Sequence, residues 1–418
     1  MSCLNARWIR LMLRVALAVC VALLCRASGL WAADVAPAAA DGSLWSRKMD
    51  ELGKSLLKNV RASVVDGETL RLPAGSVSVA GLRAGDMLLQ VDMEKKLVTL
   101  VSTTLYNKGD DGEMSKAEFD ALLAESLNNL TDIFQVAPSQ RKTKKKETAV
   151  RLRAWEWDTP HCAALLEASA TGTGKKYTAE FIRLTIAPDK AGLERGSADD
   201  VVKKAELRGH VRRHENGSVW IEGIPMVDQG QKGYCVPASL SRVFAYYGMD
   251  GVDQHALAAL CSTEQGTTLP DMEKALRSIS STFHMSVTSW EWLNRKTLAK
   301  DIQRVAQKKR MPPEMVTNGM LLEVISAKQA VLRKGMKDIK KQIDAGIPIV
   351  WAVMLGLFPE PGLPQSAGGH MRLIIGYNEE KQVIFYSDSW GGGHELKSMP
   401  LAQACAISMA LYVLRPRR

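Results

Sequence analysis

A glutamine and a cysteine six positions apart, Gln229 and Cys235 in VDQGQKGYCVPAS, have the residue types and spacing for acyl chemistry on a thiol. Gly230 and Gly233 lie between them, and a helix-like run, ASLSRVFAYYG, follows. A cysteine at a helix N-terminus sits among unpaired N–H groups, whose partial positive charge favours thiolate over thiol. An amide donor a short turn upstream faces the same spot, where it can hold a developing oxyanion. A thiolate at neutral pH also needs a base. His370, in SAGGHMRLIIGYN, follows two glycines and opens an apolar strand, 135 positions beyond Cys235. Its second ring nitrogen needs an orienting group. Asp388 ends the next strand, in VIFYSDSWGGG, 18 positions after His370. A strand–turn–strand between them sets the two side chains on neighbouring strands, where the carboxylate fixes the tautomer and stabilises imidazolium. Trp390 is placed to cover that bond and lower the local dielectric.

These segments resemble a known family. DQGQKGYC is similar to the active-site segment of the papain superfamily, in which a glutamine six residues before the cysteine forms the oxyanion hole. GGHMRLIIGYN resembles that superfamily's histidine strand, and SDSWGGG its NSWG segment, with Asp388 in place of the asparagine. The run IPMVDQGQKGYCVPASLSRVFAYYG is closer still to the bacterial branch related to peptidases that trim double-glycine leader peptides. Val236 departs from that branch, which usually has glycine there. The transporter and membrane domains of true leader peptidases have no counterpart in this sequence, so their substrate is not carried over. The resemblance implies a Cys235–His370–Asp388 triad with Gln229 in the oxyanion hole, acting on a peptide or protein through a thioester, with no cofactor and no metal. Two other readings use the same residues: transglutaminase-like or amidase acyl transfer on the same fold, and a peptide-binding domain without catalysis.

The surrounding chain must position these groups. Its 418 residues suffice for a leading segment and two or three domains. Met1–Arg14 carries Arg7, Arg10 and Arg14 and no acid, and an apolar run of 11, VALAVCVALLC, follows. This reads as an export signal, too short to span a bilayer, with cleavage near Ala32 or Ala33. Export implies a bacterial periplasm, cell envelope or extracellular setting, with membrane attachment only through an uncleaved signal. The segment takes four arginines, Arg26 included, out of the +10 formal charge. Much of the remaining excess lies in Arg141–Lys146 (RKTKKK), read as a solvated loop; neither zinc-finger spacing nor aromatic-interleaved basic strands point to nucleic acid. Beyond the signal stand Cys162, Cys235, Cys261 and Cys405, too few and too widely spaced for a disulfide framework, with no CxxC pair to hold zinc.

The expected architecture is α+β. Residues 1–33 form the signal, 34–43 a linker (ADVAPAAAD is Ala/Pro-rich), 44–222 a separate N-terminal α+β region of unassigned role, and 223–418 the papain-like domain. In the first region the patterns predict a hairpin over Asp86–Tyr106, a helix over Ser115–Phe134 opened by a Ser115/Glu118 capping box, strands at Thr148–Trp157 and Lys176–Ile186, a helix at Ala198–Leu207, and a hairpin around Asn216-Gly217. Asn107–Glu118 has the outline of a calcium loop, but Asn and Gly at its first and third positions favour an acidic turn before a capped helix. The second region reads as helices first and antiparallel strands after, which packs a nucleophile helix on a sheet. The Pro/Gly-rich Leu355–Gly369 segment, just before His370, is expected to border the cleft.

Overall fold

The computed structural model describes residues 33–65, 68–142, 150, 152–194, 202–230, 233–249, 251–261, 268–312, 317–365 and 367–417. The expected signal lies outside these residues, as do much of the basic run and the first four residues of the expected Ala198–Leu207 helix; the rest of that stretch is not an α-helix, and only a short 3-10 turn, Glu206–His210, forms at its end.

The chain builds two antiparallel sheets, each with its own apolar core. The first contains β1 (Ser63–Val64), β2 (Thr69–Leu72), β5 (Met87–Asp92), β6 (Leu97–Asn107), β7 (Ser139–Arg141), β8 (Arg153–Asp158), β9 (Ala163–Thr171) and β10 (Thr178–Ala187), in the order β1-β2-β5-β6-β10-β9-β8-β7. A small pair, β3 (Ser78–Val79) and β4 (Leu82–Arg83), stands apart. The Lys116–Phe134 helix packs on this sheet through Phe119, Leu123, Leu130 and Phe134. Its capping box forms as expected: Ser115 accepts from the Glu118 N–H and Glu118 accepts from the Ser115 N–H. Glu118 is thereby committed to the helix end. The alanine-rich strand β9 carries no clear strand signal in its sequence; its small side chains are buried between neighbours.

Two expected boundaries change. Residues 34–43 are not a linker. Asp34 caps a helix over Val35–Ala40, and Val35, Ala36 and Ala39 are buried in the first core. The hairpin around Asn216-Gly217 forms, but its strands β11 (Val211–Arg213) and β12 (Ser218–Ile221) join the second sheet, where β12 pairs with β15 (Gly368–Asn378). Leu207 also belongs to the second core. The first unit therefore ends well before residue 222.

The second sheet runs β11-β12-β15-β14-β18-β13, with β16 paired to β15 and β17 to β16. The added strands are β13 (Met285–Trp290), β14 (Ile349–Leu355), β16 (Val383–Ser387), β17 (Lys397–Pro400) and β18 (Ser408–Pro416). Before most of these strands come helices over Cys235–Tyr246, Gln254–Cys261, Leu269–Thr282, Arg295–Lys308, Asn318–Ser326 and Gln329–Ile343. β15 is buried from His370 to Asn378, in keeping with its nearly unbroken apolar run. The Cys235–Tyr246 helix is buried around most of its girth and rests on β15, where Ser239 donates to the Met371 carbonyl at 3.3 Å.

Candidate active site

Cys235 is the first residue of its helix, and Tyr234, the preceding cap, offers no side-chain hydrogen bond to the helix N-terminus. The first-turn N–H groups are thus not taken up by a capping side chain. Cys235 is partly exposed, whereas Cys162, Cys261 and Cys405 are buried; all four are free. Burial pushes the Cys261 and Cys405 thiols up to about 12, so neither is a nucleophile at neutral pH.

His370 stands near the start of β15 and Asp388 directly follows β16, with Leu373 opposite Ser387 in the ladder. This register brings His370 Nε2 to 2.5 Å from Asp388 Oδ1, with both side chains inaccessible to solvent. The Trp390 ring stacks on the imidazole at 4.2 Å between centroids and 9° between planes. Nδ1, the other ring nitrogen, is buried without a hydrogen-bond partner. It is the nitrogen left for the thiol once Nε2 is committed to Asp388. Burial works against a charged imidazole, but Asp388 and Cys235 outweigh it and raise His370 to about 9. Burial likewise disfavours the Asp388 carboxylate, yet His370, Arg372 and the Ser389 N–H together lower it to about 2.

Gln229 is seven per cent exposed and held at two points. Its backbone N–H donates to the Ser389 carbonyl at 2.8 Å, and its Oε1 accepts from Ser389 Oγ at 2.7 Å. The amide orientation follows from that second bond, which leaves the NH₂ end as the donor. Gln229, Gly233, Cys235 and His370 line one cavity of about 630 Å³, together with Leu269, Pro270, Met371 and Met409. Gln365 and Gly369 also line it, as expected for the Pro/Gly-rich segment. The four residues singled out from the sequence are therefore brought together.

Three residues of the same assembly escaped the sequence reading. Ser389 orients Gln229 as described. Arg372 lies two residues along β15 from His370, on the same face. Its Nε donates to Asp388 Oδ2 at 2.8 Å, its Nη1 pairs with Glu360 at 3.0 Å, and its guanidinium covers the Tyr386 ring at 4.6 Å. Arg242, on the nucleophile helix, is one per cent exposed. It donates to the carbonyls of Pro225 and Asp388, both at 2.8 Å, and to Ser387 Oγ at 2.5 Å. One guanidinium thus ties the cysteine helix to the segment leading to Gln229 and to the strand end bearing Asp388. An arginine inside an otherwise apolar run, as in MRLIIGY and SRVFAYY, was the available signal: a buried charge needs partners.

Histidine paired with buried carboxylate on a sheet, sharing a cavity with a cysteine on a helix N-terminus, is an arrangement suited to acyl chemistry on a thiol. Consistent with this, residues 221–407 match the model of the Peptidase_C39 like family. Among solved structures, xylellain, a cysteine protease from Xylella fastidiosa, is similar over 54% of this chain and 94% of its own, at 14% identity and a TM-score of 0.30. No curated protein matches the chain. The family match falls within the C-terminal unit and spans under half of the chain.

Proposed function

We propose that the protein is an exported cysteine peptidase that hydrolyses peptide bonds through a Cys235–His370–Asp388 triad. The observation that carries this reading is the buried His370–Asp388 pair, which leaves the second imidazole nitrogen to the partly exposed thiol. Cys235 and His370 form a thiolate–imidazolium pair, and the thiolate attacks the scissile carbonyl. The Cys235 backbone N–H and the Gln229 carboxamide hold the oxyanion. His370 then gives its proton to the leaving amine, and the thioester is released when His370 takes a proton from the attacking water. Asp388 keeps the ring in one tautomer throughout. Export rests on the basic and apolar leading segment.

The apolar part of the cavity wall, Leu269, Pro270, Met371 and Met409, suits an apolar substrate side chain beside the scissile bond. The reading is tested by digesting a proteome-derived peptide mixture with wild type and Cys235→Ala protein. Wild type should yield new termini that the variant does not. Iodoacetamide at neutral pH should modify Cys235 at least ~10-fold faster than Cys261 or Cys405, because exposure and thiolate content together set the rate. Equal digestion by the variant, or uniform alkylation, overturns the proposal.

A further inference from the structure

Among its contacts with the catalytic unit, the N-terminal unit holds both ends of the segment joining Gln229 to Cys235. At one end, Arg71 on β2 donates through Nη1 to Asp228 Oδ2 at 2.9 Å and pairs through Nη2 with Asp86. Asp228 in turn accepts from the Gly230 N–H at 2.8 Å through its other oxygen. At the other end, Tyr234 donates its hydroxyl to Asn107 Oδ1 at 2.7 Å in a buried contact. Asn107 is the last residue of β6, and its Nδ2 also lies 3.2 Å from His255 Nδ1. A third contact runs from the Gly392 N–H to the Val64 carbonyl on β1, at 3.2 Å.

The glycines of the catalytic unit bear the imprint of this docking. Gly230 has φ +74°, and a Cβ there meets Arg71 Nη2 at 3.2 Å. Gly391, at φ +76°, has no room for a Cβ against Asp228, and Gly392 none against the Val64 carbonyl. On the other side of the seam, a Cβ on Gly109 would strike the Tyr234 ring at 2.7 Å. By contrast, the residues lining the Cys235–His370 cavity all come from the catalytic unit. Among the described residues, the N-terminal unit therefore grips the oxyanion segment from behind and does not fill the cleft, as an inhibitory segment would.

We propose that the N-terminal unit is a built-in positioning element for catalysis, with Arg71 and Asn107 holding the Asp228–Gly230 turn and Tyr234 so that the Gln229 donor stays aimed at the oxyanion. This rests on the reading of Gln229 given above. Arg71 and Asn107 act through their partners and touch no substrate. Oxyanion donors are worth ~100-fold or more in turnover, and misplacement by ~1 Å has an effect of similar size.

The test compares full-length wild type with Arg71→Ala and Asn107→Ala. The readouts are kcat and KM on the fastest-cleaved peptide of the mixture, inhibition by a peptide aldehyde, and iodoacetamide alkylation of Cys235. The hemithioacetal formed from the aldehyde places an oxygen in the hole, whereas alkylation reads the thiolate alone. Arg71→Ala should lower kcat and aldehyde affinity together by ~10- to 100-fold. KM should stay within about twofold and alkylation unchanged. Added to Gln229→Ala, it should cost under about threefold more, since both changes remove one function. Should Arg71→Ala fail to fold, Asn107→Ala and Tyr234→Phe carry the same comparison. The proposal is overturned by unaltered kcat and aldehyde affinity, by a parallel loss of alkylation, or by full additivity with Gln229→Ala. A wild type that cleaves no peptide and binds no aldehyde overturns the functional reading itself.

Discussion

At the scale of single residues, the site is a balance between burial and pairing. His370 and Asp388 are both solvent-inaccessible, and each charge is disfavoured by that burial and restored by the other. The signs differ. His370 is raised from 6.5 to about 9, so its contribution to stability is full below pH 6.5 and is lost as pH rises through about 9. Asp388 is lowered from 3.8 to about 2, so its contribution is full above pH 3.8 and is lost as pH falls through about 2. In the proposed mechanism the imidazolium protonates the leaving amine, so kcat/KM should decline on an alkaline limb near pH 9. Asp388→Asn removes the carboxylate charge that raises His370. The limb should then move to lower pH and kcat should fall, by less than in His370→Ala. A pH–rate profile of the two proteins checks this, and an unshifted limb in Asp388→Asn would contradict it.

At the scale of elements, three pieces converge: the Cys235 helix, the β15–β16 pair and the segment between β14 and β15. That segment does two things. Glu360 pairs with the buried Arg372 and accepts from the Tyr386 hydroxyl at 2.6 Å, while Gln365 borders the catalytic cavity. Replacing Pro361–Pro364 by two glycines, with Glu360 and Gln365 kept, should alter the ranking of peptide substrates by kcat/KM several-fold and leave the alkylation rate of Cys235 unchanged. Profiles of peptide cleavage by the two proteins, identical in rank, would show that the segment does not set access. Sequence pattern located most of these elements. The Asn318–Ser326 helix and β9 and β13 were missed, because none of them advertises a clean period, and tertiary packing decided each one.

At the scale of the whole molecule, the two units share an apolar contact as well as a polar one. Phe181 on β10 packs with Val150 and with Ala256 on the Gln254–Cys261 helix, and Arg183 pairs with Asp253 beside it. Truncating a buried phenylalanine costs about 3–5 kcal/mol. Phe181→Ala should therefore lower the urea midpoint of the full chain clearly, and an unchanged midpoint would mean the seam is not packed. The helix that follows the nucleophile helix is thus anchored on the N-terminal sheet, in the same direction as the Arg71 and Asn107 contacts.

The grouping of Gln229, Cys235, His370 and Asp388 was legible in the chain because it is written in local segments. The Gln229–Cys235 offset, the glycines before His370 and the Asp388–Trp390 run each specify a residue type in a local conformation, and a strand–turn–strand joins His370 to Asp388 within 18 residues. What only the tertiary structure decided is what holds those groups. Arg242, Arg372 and Ser389 act through partners up to 160 positions away, and Arg71 and Asn107 reach across 157 and 127 positions into another unit. Such contacts leave no period or spacing in the sequence. They arise because a buried charge or amide must find a partner wherever the packed chain brings one. For the same reason the stretch at 34–43, which reads as a linker, is helix and core, and the hairpin at 211–221 belongs to the sheet that bears His370.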